Sequence, residues 1–176
     1  MILSDRGIKE RLGKDIIITP YNEKQLNPNS YNLTLNKNLI CYNKRLLRVD
    51  EYNPYHSFEI PPEGLKLKPG WVYLAKTNEY TETHNLVPML EGRSSIGRLG
   101  ILIHISAGFG DAGFKGCWTL ELTCVQPVII KPNIEICQIY YHTLESVPEK
   151  EYDGRYQNST GVITSKMYED FKYDRG

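Results

Sequence analysis

Paired cysteines, a net charge and long apolar runs are all missing from this sequence, and each absence narrows the field. The four cysteines, Cys41, Cys117, Cys124 and Cys137, form no C-x-x-C pair. All four fall in strand-like runs, which reads as buried thiols in a reducing cytoplasm. Lys plus Arg (21) balances Asp plus Glu (21). The overall field therefore draws the chain to neither nucleic acid nor an anionic membrane, and any anion site must be local. No apolar run approaches the roughly 18 residues of a membrane span, and the opening MILSDRGIKE lacks the apolar region of a secretion signal. Internal repeats, low-complexity tracts and linkers are absent, and so is the G-x-x-x-x-G-K-[ST] spacing of a P-loop.

What is present suits a single globular domain over residues 1–176, with 40% hydrophobic and 24% charged residues. LSDRGIKERLG predicts a short helix, with Ser4 as its cap, Ile8 and Leu12 on one face and Gly13 as its stop. From Ile16 to His142 the pattern is almost all short β-runs: IIIT, YNLTL, LICY, WVYLAKT, ILIHIS, CWTLELTC, PVIIKP and EICQIYYH. Turn signals such as Asn27-Pro28-Asn29, Pro61-Pro62, Pro69-Gly70 and Pro132-Asn133 separate them. Many short strands at this spacing predict a sandwich, jelly roll or barrel. From Glu149 onward the chain turns polar and aperiodic, the composition of a mobile tail, and SKMYEDFK predicts one closing helical turn.

One strand poses a question. In CWTLELTC, Trp118, Leu120, Leu122 and Cys124 point one way and Cys117, Thr119, Glu121 and Thr123 the other. The first set is a core face. The second is a solvated face or the wall of a pocket, with Glu121 at its centre. Upstream, EGRSSIGRLG packs Arg93, Ser94, Ser95 and Arg98 among three glycines. Close backbone approach, hydroxyl donors and guanidinium forks suit an anion, although such a run can equally be a surface turn. AGFGDAGFKG sets Asp111 among four glycines, as a plain wide loop or as one that closes over a ligand.

Together and in this order, EGRSSIGRLGI, SAGFGDAGFKG leading into TLEL, and GRYQNSTGVITS resemble the dCTP deaminase family within the dUTPase-like proteins. Weaker similarity covers ILSDRGI, NPNSYNLTL and IPPEGLKLKPGWVYLAKTNEY. The resemblance implies a mainly β, dUTPase-like sandwich or barrel, and a homotrimer with active sites between subunits. It makes Glu121 the catalytic carboxylate, with Ser94 and Arg98 close to the chemistry. The segment Arg93, Ser94, Ser95, Ile96, Gly97, Arg98 becomes the loop for the triphosphate and base. Asp111 falls near the deoxyribose, the backbone of Thr119, Leu120 and Glu121 reads the pyrimidine edge, and the Ala107 carbonyl helps hold the attacking water. Gln138, Tyr152 and Arg155 match nucleotide-contacting positions, and Ser159 stands where the family commonly has Gln. Arg155 replaces a usual Lys, Gly110 a bulky residue (which predicts a looser loop), Ala112 a frequent Pro, and Asn32 and Asn36 an Asp and a Gly.

Deamination at cytosine C4 needs a nucleophilic water and protons for N3 and the departing ammonia. Zinc deaminases take the water from a metal held by H-x-E and P-C-x-x-C. His56, His84, His104 and His142 are followed by Ser-Phe, Asn-Leu, Ile-Ser and Thr-Leu, so no zinc is expected, and one positioned carboxylate must shuttle the protons. Magnesium is expected only as a companion of the triphosphate, without protein ligands. The leading expectation is conversion of dCTP to dUTP and ammonia. The alternatives are a bifunctional enzyme that continues to dUMP and pyrophosphate, a plain dUTPase, and a non-catalytic nucleotide-binding trimer. Inhibition by dTTP is left open.

Overall fold

In the computed structural model, which describes residues 1–103 and 107–172, the Ser4 hydroxyl accepts the Gly7 N–H at 3.3 Å and starts helix α1 (Asp5–Arg11). Ile8 is fully buried on its inner face. Gly13 follows at a positive φ of 75°, where a side chain would be strained, and the chain turns into strand β1 (Ile16–Thr19).

The remaining strands are β2 (Leu26–Asn27), β3 (Ser30–Tyr42), β4 (Tyr55–Glu59), β5 (Leu65–Leu67), β6 (Tyr73–Thr83), β7 (Leu86–Gly92), β8 (Ile101–Ile103), β9 (Lys115–Cys124), β10 (Val128–Ile130) and β11 (Glu135–Thr143). A short helix, α2 (Ser94–Gly97), sits between β7 and β8. The main sheet runs β7-β11-β3-β6-β9-β8, with β1 added to β6 and β2 and β4 added to β3, while β5 and β10 form a separate pair. Its two ends, β7 and β8, also touch each other, so the sheet nearly closes on itself. This is the mainly β architecture that the strand pattern predicted. No helix among the described residues is long and apolar enough to cross a membrane.

YNLTL and LICY turn out to be one strand, β3, with a register shift between Leu35 and Leu39. Asn36 donates to the Asn78 side chain at 2.7 Å across that irregularity, and Asn32 donates to Glu135 at 2.9 Å. Both asparagines thus tie strands together. Among the named strands the segment LVPMLEG pairs with β11 alone, its other edge meeting the glycine loop through a Met89–Phe109 bridge, so it is an end strand and tolerates Pro88. Of the ILIHIS run, 101–103 form β8 and 104–106 lie outside the described residues.

The core fills the closed face with Tyr31, Leu33, Leu35, Leu120, Leu122, Ile136, Ile139 and Tyr141, all with no solvent exposure. One strand breaks the apolar rule. On β6 the buried positions after Ala75 are Thr77, Glu79, Thr81 and Thr83. Glu79 is held by the Thr34 N–H and hydroxyl, both at 2.8 Å, and by the Gln25 amide at 3.0 Å. Such a carboxylate is tolerable inside only because these donors replace water. Cys117, Cys124 and Cys137 are buried and Cys41 half-buried, all as free thiols. Desolvation pushes the thiol pKa of each one up.

Candidate active site

The alternation in CWTLELTC holds from Trp118 onward: Leu120, Leu122 and Cys124 are buried, whereas Thr119, Glu121 and Thr123 are half-buried. Pairing with β6 sets Leu74 opposite Glu121 and Lys76 opposite Thr119. Directly opposed residues share a face. That face is the wall of a cavity of about 500 Å³, within the range typical of small-molecule sites.

Glu121, Thr119, Asp111, Ala107, Tyr152 and Ser159 all line this cavity. Residues far apart in the chain, named from sequence, therefore meet in one place. The sequence reading missed most of the aromatic lining: Tyr42 from β3, Phe109 and Phe114 from the glycine loop, and Trp118. Alternation had assigned Trp118 to the core alone. It is both buried and cavity-lining, with its indole N–H donated to the Thr81 hydroxyl at 2.9 Å and its ring 4.4 Å from that of Phe114.

The glycine loop is shaped by contact, not looseness. The Gly110 N–H donates to the Pro88 carbonyl at 2.9 Å, and a Cβ there would lie 2.4 Å from the Trp118 ring and 2.9 Å from Pro88. The absence of a side chain seats Trp118, which corrects the expectation of a looser loop. At Gly113, with φ of 94°, a Cβ would come within 2.4 Å of the Glu151 side chain. That glycine lets the tail approach.

The tail itself is packed over the cavity. Tyr152 is half-buried against the core, with its N–H on the Ala112 carbonyl at 2.8 Å and its ring 6.1 Å from Phe114. Glu151 meets His84 Nδ1 at 3.0 Å. Further on, Ile163 donates its N–H to the Thr119 hydroxyl at 3.1 Å, Ser165 donates to the Tyr42 hydroxyl at 3.2 Å, and the Lys76 ammonium donates to the Thr160 carbonyl. A short 3₁₀ turn, Met167–Glu169, closes the segment as SKMYEDFK predicted.

Other named residues lie elsewhere. Arg93, before α2, pairs with Glu135 at 2.8 Å and also donates to its carbonyl. Ser94, Ser95, Gly97 and Arg98 are exposed, and Ile96 is buried in the core. None of this segment lines the cavity that holds Glu121. The Leu120 side chain is fully buried, so only its backbone can face a ligand. Gln138 accepts the Ser30 hydroxyl at 3.1 Å on β11, and Arg155 pairs with Asp170 and the Lys166 carbonyl. Neither reaches the cavity within this chain. Among the described residues, the charged groups that line it are Asp111 and Glu121, both acidic. Among the described residues no group of three or more His, Cys, Asp or Glu could hold a metal ion.

A family model described as dCTP deaminase-like matches residues 2–144. A protein of Hathewaya histolytica named "dCTP deaminase, dUMP-forming" is 58% identical over 98% of this chain and all of its own length. Relatives of the same name from Clostridium acetobutylicum and Cytophaga hutchinsonii are 56% and 53% identical, over 97% and 98% of this chain and 99% of their own. Among solved structures, the 2'-deoxycytidine 5'-triphosphate deaminase of Agrobacterium tumefaciens superposes with a TM-score of 0.62 at 19% identity, covering 80% of this chain and 47% of that one. That likeness bears on the fold.

Proposed function

Since this chain belongs to the dCTP deaminase-like family, we propose that it is an enzyme that deaminates dCTP and carries the product on to dUMP and pyrophosphate. The observation that carries the reading is the meeting of Glu121 and Asp111 in one aromatic-walled cavity. In the first step Glu121 takes a proton from water as the oxygen adds to C4, and passes it to N3. Glu121 then takes the proton of the new C4 hydroxyl and gives it to the amine, which leaves as ammonia as the C4 carbonyl forms, and uracil remains. Thr119 helps here. Its hydroxyl already accepts the Ile163 N–H, which leaves its own proton for a base acceptor. In the second step a water oriented by Asp111 attacks the α-phosphorus in line with the departing pyrophosphate.

Sequence reading ranked release of dUTP first. The names of the relatives favour the alternative, dUMP. Single-turnover reaction with dCTP is expected to yield dUMP and pyrophosphate with no free dUTP, as read by chromatography. Stoichiometric dUTP that persists would return the enzyme to simple deamination. Magnesium fits as a companion of the substrate: the triphosphate oxygens and water would supply its ligands, and the exposed Asp111 carboxylate at the cavity would face its water shell. Its contribution when bound is to offset phosphate charge. The nucleotide dTTP carries the same sugar and phosphates and would compete for the same cavity.

The site is shared between copies in a homotrimer. A triphosphate needs cations, yet the lining of the cavity is acidic, while Arg98 and the exposed serines stand on α2, outside it. Exposed Leu99, Leu102 and Val125 around α2 and β8 supply an apolar surface for a second copy to cover. Mixing inactive Glu121→Gln and Arg98→Ala proteins should therefore restore roughly a quarter of the sites by random assortment. Mixed trimers, verified by differential tagging, that stay inactive would place both residues in one subunit's site.

A further inference from the structure

Among the described residues, β8 pairs with the far end of β9, at Leu122 to Cys124. The near half of that edge, around Lys115 to Cys117, is covered by the tail instead. Asn158 donates its N–H to the Lys115 carbonyl at 2.8 Å, Cys117 donates to the Ser159 carbonyl at 2.7 Å, and Gly116 and Ser159 form a parallel bridge. Gln157, just before this added strand, uses its side chain where the next backbone bonds would fall. Its carbonyl oxygen accepts the Lys115 N–H at 2.8 Å, and its NH₂ donates to the Gly113 carbonyl at 2.8 Å and the Tyr152 carbonyl at 2.7 Å. The partners decide the amide's orientation. Flipped, it would set oxygen against two carbonyls and NH₂ against an N–H.

Three separate segments meet at this one amide. Gly113 belongs to the loop that carries Asp111, Lys115 begins the strand that carries Glu121, and Tyr152 is the tail residue that lines the cavity. Phe114 lies among them, its ring against Trp118 and Tyr152. The middle of β9, with Thr119 and Glu121, is set independently by its pairing with β6. The Asp111 loop is not. It hangs on backbone bonds that join Leu90 to Gly108, Gly110 to Pro88, Gly113 to Thr83 and Tyr152 to Ala112, on an internal turn bond, and on Gln157.

We propose that Gln157 is a positioning residue for the phosphate-cleaving step, joining the Asp111 loop and the closing tail into one unit that retains the deaminated nucleotide. The inference rests on the two-step reaction proposed above. Without the amide, the Tyr152–Ala112 backbone bond must hold loop and tail together, the joint loosens, and dUTP escapes before water reaches phosphorus. Glu121 keeps its place, so deamination falls by less than phosphate cleavage.

The test compares Gln157→Leu and Gln157→Glu with the full-length wild type. Leu removes all three bonds at similar bulk, whereas Glu keeps an acceptor for Lys115 but loses both donors. Under single turnover with dCTP, both variants should release free dUTP as a third or more of the product, with KM for dCTP raised about tenfold. Hydrogen exchange without nucleotide should quicken about tenfold at the tail amides in both variants, and at the Lys115 amide in Leu, with Leu120 and Leu122 unmoved. Faster exchange with dUMP still the sole product would reduce Gln157 to a structural tie and overturn the proposal, as would unchanged exchange. If the wild type itself releases only dUTP, the two-step reading fails and this role falls with it. If the wild type makes dUMP and the variants do too, only the inference about Gln157 fails.

Discussion

Glu121→Gln should fold, assemble and bind dCTP, yet deaminate it at least about a thousandfold more slowly. Gln matches Glu in size, and the position is a half-buried site on a strand held on both sides, so shape and packing persist. What disappears is the ability to take a proton from water and return it to N3 or the amine. A thousandfold loss corresponds to about 4 kcal/mol of barrier, within what general acid–base catalysis supplies when both transfers depend on one group. Single-turnover deamination and the dissociation constant of dCTP, measured on the same preparation, separate chemistry from binding. A variant that keeps a tenth of the wild-type rate would remove Glu121 from the proton shuttle. Loss of binding in parallel with rate would make it a structural residue.

Truncation after Glu149 should lower kcat/KM by about a hundredfold or more, through both a higher KM and a lower kcat. The cut removes Tyr152, Tyr156, Ser159, Ile163, Thr164 and Ser165 from the cavity lining and opens it to water. Thr119 also loses the Ile163 N–H that orients its hydroxyl. Stability should fall only modestly. The tail adds edge hydrogen bonds, each worth about 1 kcal/mol net, and half-buried rings at Tyr152, Tyr168 and Phe171, while the main core lies behind β9. A fall in melting temperature of several degrees, with the sheet intact by circular dichroism, is the expected accompaniment. Unaltered kinetics in the truncated protein would make the tail a bystander. Collapse of the sheet would show it to be part of the folding unit.

Much of the site was legible from local pattern. Ser4 as a cap and Gly13 as a stop bracket α1, because capping involves only neighbouring residues. Alternation along CWTLELTC assigned Glu121 to a face apart from the core, because the strand period is a property of the chain itself. Conversely, the tail looked unstructured because its order comes from backbone hydrogen bonds to an exposed strand edge. Such bonds are made by every residue type and leave little trace in composition. The buried run Thr77, Glu79, Thr81, Thr83 hid for a related reason. The side chains of Thr77, Glu79 and Thr81 are satisfied by Thr34, Gln25 and Trp118, which arrive from other parts of the chain. Gly110 read as slack because the Trp118 ring that fills its missing side chain is apparent only once the loop folds back on β9.

By itself, then, the sequence determined the β class, the capped helix, the face on which Glu121 stands and, by resemblance, the family to which the chain belongs. The tertiary structure alone decided which of the named residues share a cavity. It brought Glu121, Thr119, Asp111 and the tail together and left Arg93 to Arg98 apart on α2. The physical reason is that strand period and capping are set within a few residues, whereas a cavity is set by which edges pair and which turns cross. Those choices are made by hydrogen bonds and packing between distant segments, and no local stretch of sequence contains them.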